Sequence, residues 1–143
     1  MVKKNHFILG TGIALSGNND AFQSGFAYDL KAAISIEYHF WERTSIGIKG
    51  GLSNAKSFSG PRTSQYYAGP MIRQYLFWGL NVQGAYLFNK NDIHIVQGIL
   101  AYSFYSGTRF IIEPYLEYGH EVVNKVNDDY LAGGIGLRFV LGR

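Results

Sequence analysis

The alternation of apolar and polar residues with a period of two constrains this chain more than any other feature. It is longest in FAYDLKAAISIEYHF, residues 26–40. Phe26, Tyr28, Leu30, Ala32, Ile34, Ile36, Tyr38 and Phe40 share one face, while Ala27, Asp29, Lys31, Ala33, Ser35, Glu37 and His39 share the other. Successive side chains of an extended strand point to opposite sides of the sheet, so this segment reads as a strand between two unlike surroundings. The pattern recurs from end to end, and no segment sustains an apolar period of 3.6 residues, so an all-β chain is expected.

Eight strands can be placed. The first runs from about Asn5 to Leu15 and the second is residues 26–40. The third is TSIGIKGGLSNAK, the fourth QYYAGPMIRQYLF, the fifth LNVQGAYLF and the sixth IHIVQGILAYSFY. RFIIEPYLEYGHEVV and YLAGGIGLRFVL are the last two. Tight turns at 41–43, 78–79 and 106–107 alternate with longer polar loops near residues 20, 60 and 126, and 89–92 is intermediate. Short connections on one side and longer ones on the other are the habit of transmembrane β-barrels, and an even strand number returns both termini to the short-turn side. The opening MVKKNHFILGTGIALSG has the lysines and modest apolar centre of a weak signal peptide. Gly10, Thr11 and Gly12 break that centre, so it reads as the first strand, with any export signal lying outside this sequence. Residues 1–143 are expected to form a single domain.

Two barrels share such strands. A soluble lipocalin-like barrel turns its apolar face inward, and a transmembrane barrel turns it outward. Volume separates them, because an eight-stranded barrel has an interior only wide enough to be filled by side chains or to hold one small ligand. The apolar faces carry Phe, Tyr, Leu and Ile at nearly every level and would overfill it. The opposite faces carry Gly, Ala and Ser with a few long charged groups, which fit. Those charges balance: Asp29, Glu37, Glu113, Glu117 and Glu121 oppose Lys31, Lys49, Arg73, Arg109 and Arg138. An enclosed interior requires such pairing, since an unpartnered buried charge is very costly. Tyr28, Tyr38, Trp41, Tyr66, Trp78, Tyr102 and Tyr118 lie near strand ends, where rings with polar tips suit a membrane–water interface. The expected fold is therefore a closed eight-stranded antiparallel up-and-down transmembrane barrel with a charged interior and an apolar exterior.

Several other functions find little support. No apolar run approaches the roughly 18 residues of a spanning helix. The chain has no cysteine, so disulfides, thiolate metal sites and Cys nucleophiles are unavailable. Its net charge of +3 comes from basic residues scattered singly, which is not the footprint of a nucleic-acid binder. His6, His39, His94 and His120 lack metal-ligand spacing, and no cofactor or metal is expected. Asp20, His120, Asp128 and Asp129 fall near the long-loop rim, where an acid beside a histidine could orient a water, although turns favour Asp for backbone reasons. Gly69-Pro70 and Glu113-Pro114 remove ladder donors inside strands and are expected at two local bulges.

NHFILGTGIALSG, ISIEYHFWERTSIGIKGGLS and YYAGPMIRQYLF, with its Gly-Pro followed by an inward Arg, resemble the outer-membrane β-barrel domain family common in Bacteroidetes, related in architecture to OmpA and OmpX. The closing GIGLRF is similar to that family's C-terminal β-signal, on Ile135, Leu137 and Phe139, although Val140 to Arg143 follow it. The resemblance implies a bacterial outer-membrane protein with periplasmic termini, a bilayer containing lipopolysaccharide around it, and the barrel-assembly machinery as a partner during biogenesis. The expected function is a non-catalytic membrane-anchoring, structural or interaction module, such as an accessory subunit working with other outer-membrane proteins. The alternatives are a narrow passive pore, a soluble ligand-binding barrel and a rim-located outer-membrane hydrolase.

Overall fold

The computed structural model describes residues 5–17, 28–90, 92–107, 109–123 and 126–141 apart from 57–62, and within these the side chains of 17, 28, 29, 55, 56, 63, 123, 126 and 128 are left undescribed. The strands are β1 (His6–Gly17), β2 (Tyr28–Trp41), β3 (Thr44–Lys56), β4 (Thr63–Tyr75), β5 (Leu80–Phe88), β6 (Ile93–Tyr102), β7 (Phe104–Ser106), β8 (Phe110–Val123) and β9 (Val126–Leu141). Each pairs antiparallel with its neighbour, and β1 also pairs with β9, which closes the sheet. β7 continues β6 beyond Ser103 in the same register against β8, so the nine segments form a closed eight-stranded barrel.

The pairings fix the stagger. From Phe7 the register passes through Tyr38, Ile46, Ile72, Gly84, Gly98, Tyr118 and Leu131 and returns to β1 at Gly17, ten residues along. A stagger of this kind tilts the strands by about 40° to the barrel axis and, with the strand number, sets a lumen that side chains can fill.

Alternation along the strands is inverted relative to a soluble barrel. Leu30, Ile34 and Ile36 stand exposed on the outer surface while Lys31 and Glu37 are buried in the lumen. The same holds on β8, where Ile112, Leu116 and Tyr118 face out and Glu113 and Glu117 face in. β6 alternates buried and exposed at every position.

Crowding inside is relieved by cross-strand pairs of tyrosine and glycine. Tyr130 lies opposite Gly119 and Tyr115 opposite Gly134. A Cβ at Gly119 would run into the Tyr130 ring, and one at Gly134 into Tyr115 and the Ile13 carbonyl. Glycine is thus needed where an aromatic ring lies flat on the backbone of its neighbour.

Neither proline makes a bulge. Between β4 and β5 the register is the same on both sides of Gly69-Pro70, with no rung formed there. Similarly, no rung joins Tyr102–Ser103 to Glu113–Pro114, and this gap divides β6 from β7 within what the alternation reads as one strand. A proline lacks the N–H that a rung needs, but it adds no residue, so the ladder loses a bond and keeps its register. The register shift among the described pairs of β2 and β3 lies instead between His39 and Trp41, at the entry to the Glu42–Arg43 turn.

The turn from β4 to β5 holds Trp78 at φ 48° and Gly79 at φ 92°, closed by the Leu80 amide donating to the Phe77 carbonyl at 2.9 Å. Two positive φ values are those of a type I′ turn, whose twist matches the strands it joins. Its first central position usually holds Asn or Gly, yet here it holds a tryptophan that is 89% exposed.

Candidate functional site

Among the described residues the lumen gathers most of the chemistry-bearing side chains, and it does so in levels. Near the short-turn end, Glu37 from β2, Arg73 from β4, Glu113 from β8 and Arg138 from β9 form a closed ring of four ion pairs. Arg73 lies 3.3 Å from Glu37 and 2.6 Å from Glu113, and Arg138 lies 2.7 Å from Glu37 and 3.0 Å from Glu113. Signs alternate around the ring, so each charge has two opposite neighbours and the set is neutral. Neutral groups complete it. Ser45 donates to Glu37 at 2.8 Å, Gln83 accepts from Arg73 at 2.7 Å, and Asn81 and Ser103 donate to Glu113. All four charged residues are at least 95% buried, and Glu37 is wholly so. Charges removed from water this completely persist only when paired and hydrogen-bonded on every side.

A second cluster sits toward the long-loop end. Lys49 donates to Gln97 at 2.8 Å and lies 3.5 Å from Glu117, while Gln97 and the Tyr130 hydroxyl each donate to Glu117 at 2.8 Å. Lys31 places its ammonium 2.8 Å from the centre of the Tyr130 ring, where the negative face of the π-system attracts a cation. Beyond it, Tyr67, Met71, Ala85, Leu87, Ile93 and Ile95 form an apolar layer. At the opposite end Ile8, Ile111 and Val140 pack together, and His39 meets Tyr75 edge to face at 5.5 Å.

Of the ten charges expected inside, Lys31, Glu37, Lys49, Arg73, Glu113, Glu117 and Arg138 are buried in the lumen. Glu121 is half-buried near the loop end of β8, and the Asp29 side chain lies outside the described residues. Arg109 is a correction. It shares the inward phase of β8, but that strand begins at Phe110, so Arg109 stands past the last rung in the turn and is exposed to solvent. Its carbonyl accepts from the Val140 amide at 2.9 Å.

Trp41, Tyr66, Trp78, Tyr102 and Tyr118 are exposed on the outer surface, and Tyr38 is half-buried against Phe7, their ring centres 5.0 Å apart. Trp41 and Trp78 border short turns, whereas Tyr66 and Tyr118 lie toward the long loops. Tyr28 has no described side chain. Ile135, Leu137 and Phe139 all face outward on β9. At the rim, His120 lies 2.6 Å from Asp129 on the neighbouring strand, both exposed on the outer face. Asp20 and the Asp128 side chain lie outside the described residues.

Neutral partners were the residues that charge counting missed. Asn81, Gln83, Gln97, Ser103, Tyr75 and Tyr130 carry no charge to flag them. Their signal was phase, since each occupies an inward position of its strand.

No family model matches the chain, and no curated protein does. Among solved structures, a barrel from work on the de novo design of transmembrane β-barrels superposes with a TM-score of 0.61 at 10% identity, covering 98% of each chain. Neisserial surface protein A superposes with a TM-score of 0.62 at 10% identity, over 94% of this chain and 96% of that one. The fold is that of a transmembrane β-barrel. At 10% identity the likeness extends to architecture alone, so the lumenal residues of this chain have to be read on their own chemistry.

Proposed function

We propose that this chain is a small integral protein of the bacterial outer membrane, with both termini on the periplasmic side, acting as a non-catalytic anchoring, structural or interaction module. The inversion carries this reading: seven charged side chains are buried in the lumen while Ile, Leu, Phe and Val cover the outside. Water would not sustain that exterior on a monomer, because contiguous exposed apolar surface of this extent marks a membrane or partner contact. A bilayer fits it, with the exposed tyrosines and tryptophans near both ends of the strands as interfacial girdles. Lipopolysaccharide is the corresponding contact on the long-loop side, and Ile135, Leu137 and Phe139 are the segment offered to the assembly machinery. The ring, the Lys49 cluster and the apolar layer cross the lumen one behind another, which favours a plug over a pore. A closed cylinder whose longer connections, those between β1 and β2 and between β3 and β4, leave on one side suits a subunit held against other outer-membrane proteins; the connection near residue 126, expected to be long, spans only from Val123 to Val126.

The test is reconstitution. The refolded barrel is expected to resist alkaline extraction from lipid vesicles, to run as a compact form on gels until boiled, and to leave planar bilayers electrically silent. Steady single-channel conductance would overturn the plug. A monodisperse protein in detergent-free buffer would overturn membrane integration.

A further inference from the structure

Between the ion-pair ring and the Lys49 cluster lies a small cavity of about 50 Å³, whose walls include Lys49, Arg73, Arg138, Glu113, Gln83 and Ser35. That is room for a few water-sized groups at the roughly 10–15 Å³ each requires. What distinguishes it is the balance of donors and acceptors. The Nε–H groups of Arg73 and Arg138 reach no acceptor on the protein, although these residues are only 5% and 3% exposed. A Cβ at Gly10, another wall residue, would lie 3.9 Å from Arg138 Nε, so that donor lies beside the cavity wall. Lys49 donates to Gln97 and pairs with Glu117, which leaves one of its three N–H groups over.

The carboxylate and amide acceptors on the wall are already engaged, and the hydroxyls of Tyr115 and Ser35 are the acceptors that remain. One oxygen of Glu113 accepts from Arg73, and the other from Arg138, Ser103 and Asn81. The carbonyl oxygen of Gln83 accepts from Arg73, leaving its amide N–H₂ to offer. Ser35 directs its hydroxyl to Glu37 at 3.4 Å. Water in such a place would meet more donors than acceptors. A guest that only accepts and carries negative charge would satisfy both arginine donors and the lysine at once, where a buried donor left unpaired is costly.

We infer that the lumen of this barrel contains a site for one small monovalent anion of halide size, held by the Nε–H groups of Arg73 and Arg138 and the ammonium of Lys49. The anion would be a structural ligand that ties the ring to the Lys49 cluster.

Bromide is the probe. The protein is refolded in bromide, chloride or gluconate at constant ionic strength, and urea unfolding is followed while the halide is raised through a roughly hundred-fold range. A ligand bound only by the folded state should shift the midpoint upward in proportion to log concentration once above its dissociation constant. Gluconate should give no shift, and crystals grown in bromide should show an anomalous peak inside the cavity. Ala101→Leu places an apolar side chain in the same space and should abolish the halide dependence, with Ser35→Leu as the substitute if that variant does not fold. Equal midpoints in all three salts, or bromide peaks confined to the outer surface, would overturn the assignment. So would an Ala101→Leu barrel that keeps its halide dependence. The bromide map of the unsubstituted protein decides the matter whatever the variants do.

Discussion

Glu113→Gln tests whether the lumen is held by its ring. The substitution keeps the shape of the side chain, turns one of its two acceptor oxygens into an N–H₂ donor and removes one charge from a neutral set of four. Whichever oxygen is replaced, one arginine loses its acceptor: Arg73 Nη1 its contact at 2.6 Å, keeping Asn81 at 3.3 Å, or Arg138 Nη1 its contact at 3.0 Å, keeping the Tyr75 hydroxyl. Two guanidinium groups would then share Glu37 alone, in a site almost sealed from water. Breaking one partner out of a buried ion pair costs about 3–5 kcal/mol, mostly the penalty for the charge left behind. Adding Arg138→Met restores neutrality, so the double variant should be less damaged than the two single effects combined, by about 1–3 kcal/mol. Urea titrations of the barrel refolded into lipid vesicles, read by the fluorescence of Trp41 and Trp78, measure all four corners of this cycle. A single variant within about 0.5 kcal/mol of the parent, the range of an ordinary surface change, would show that the ring does not hold the lumen. Additive losses would show that its members do not act together.

Three other substitutions probe the remaining parts of the argument. Ile34→Lys puts an ammonium on the outer face of β2, where Ile34 is 57% exposed, and should cost roughly 2–4 kcal/mol in bilayers if that face meets hydrocarbon. An effect near zero in the same refolding titration would mean that it meets water. Gly119→Ala should displace the Tyr130 ring and cost about 1–3 kcal/mol, yet add nothing in a Tyr130→Ala background, because the clash would already be gone. Additivity of the two by urea melts would separate them. Trp78→Asn relieves a left-handed backbone that costs a bulky residue about 1–2 kcal/mol and should stabilise the barrel in micelles. The gain should shrink in bilayers if the ring anchors there, and equal gains in both would remove Trp78 from the girdle.

Alternation made the strands legible because a side-chain period of two is imposed by the backbone itself. It also yielded the inversion, since side-chain volume and lumen width together leave a single arrangement. The long-range partners were not legible. That Glu37 should meet Arg73 and Arg138 depends on closure between β1 and β9 and on a stagger of ten residues around the barrel, and no local pattern encodes either. Arg109 shows the limit of phase. It is spaced to face inward, but a strand end decided its fate, and ends depend on where the turn at Gly107 closes, with φ 74°. The prolines misled for a related reason. In the sequence each reads as a sign of an inserted residue, whereas the closed barrel holds the flanking rungs in place, so the missing N–H leaves a gap without a shift.

Both gaps border the same hairpin. Pro70 interrupts the seam between β4 and β5, and Pro114 interrupts the seam between β6 and β8. The hairpin from Leu80 to Tyr102 is therefore attached on each side by a ladder that lacks rungs, while the rungs within it run unbroken from Leu80–Tyr102 to Phe88–His94. What compensates is the lumen. Asn81, Gln83 and Gln97 on this hairpin bond to Arg73, Glu113, Glu117 and Lys49 on strands to either side of it. Backbone bonds missing at the two seams are thus replaced by side-chain bonds across the interior, and the polar network does for this part of the wall what the ladder does elsewhere. A lumen serving only as a conduit would have no need for such bridges, whereas one that fastens the wall from inside has to be filled.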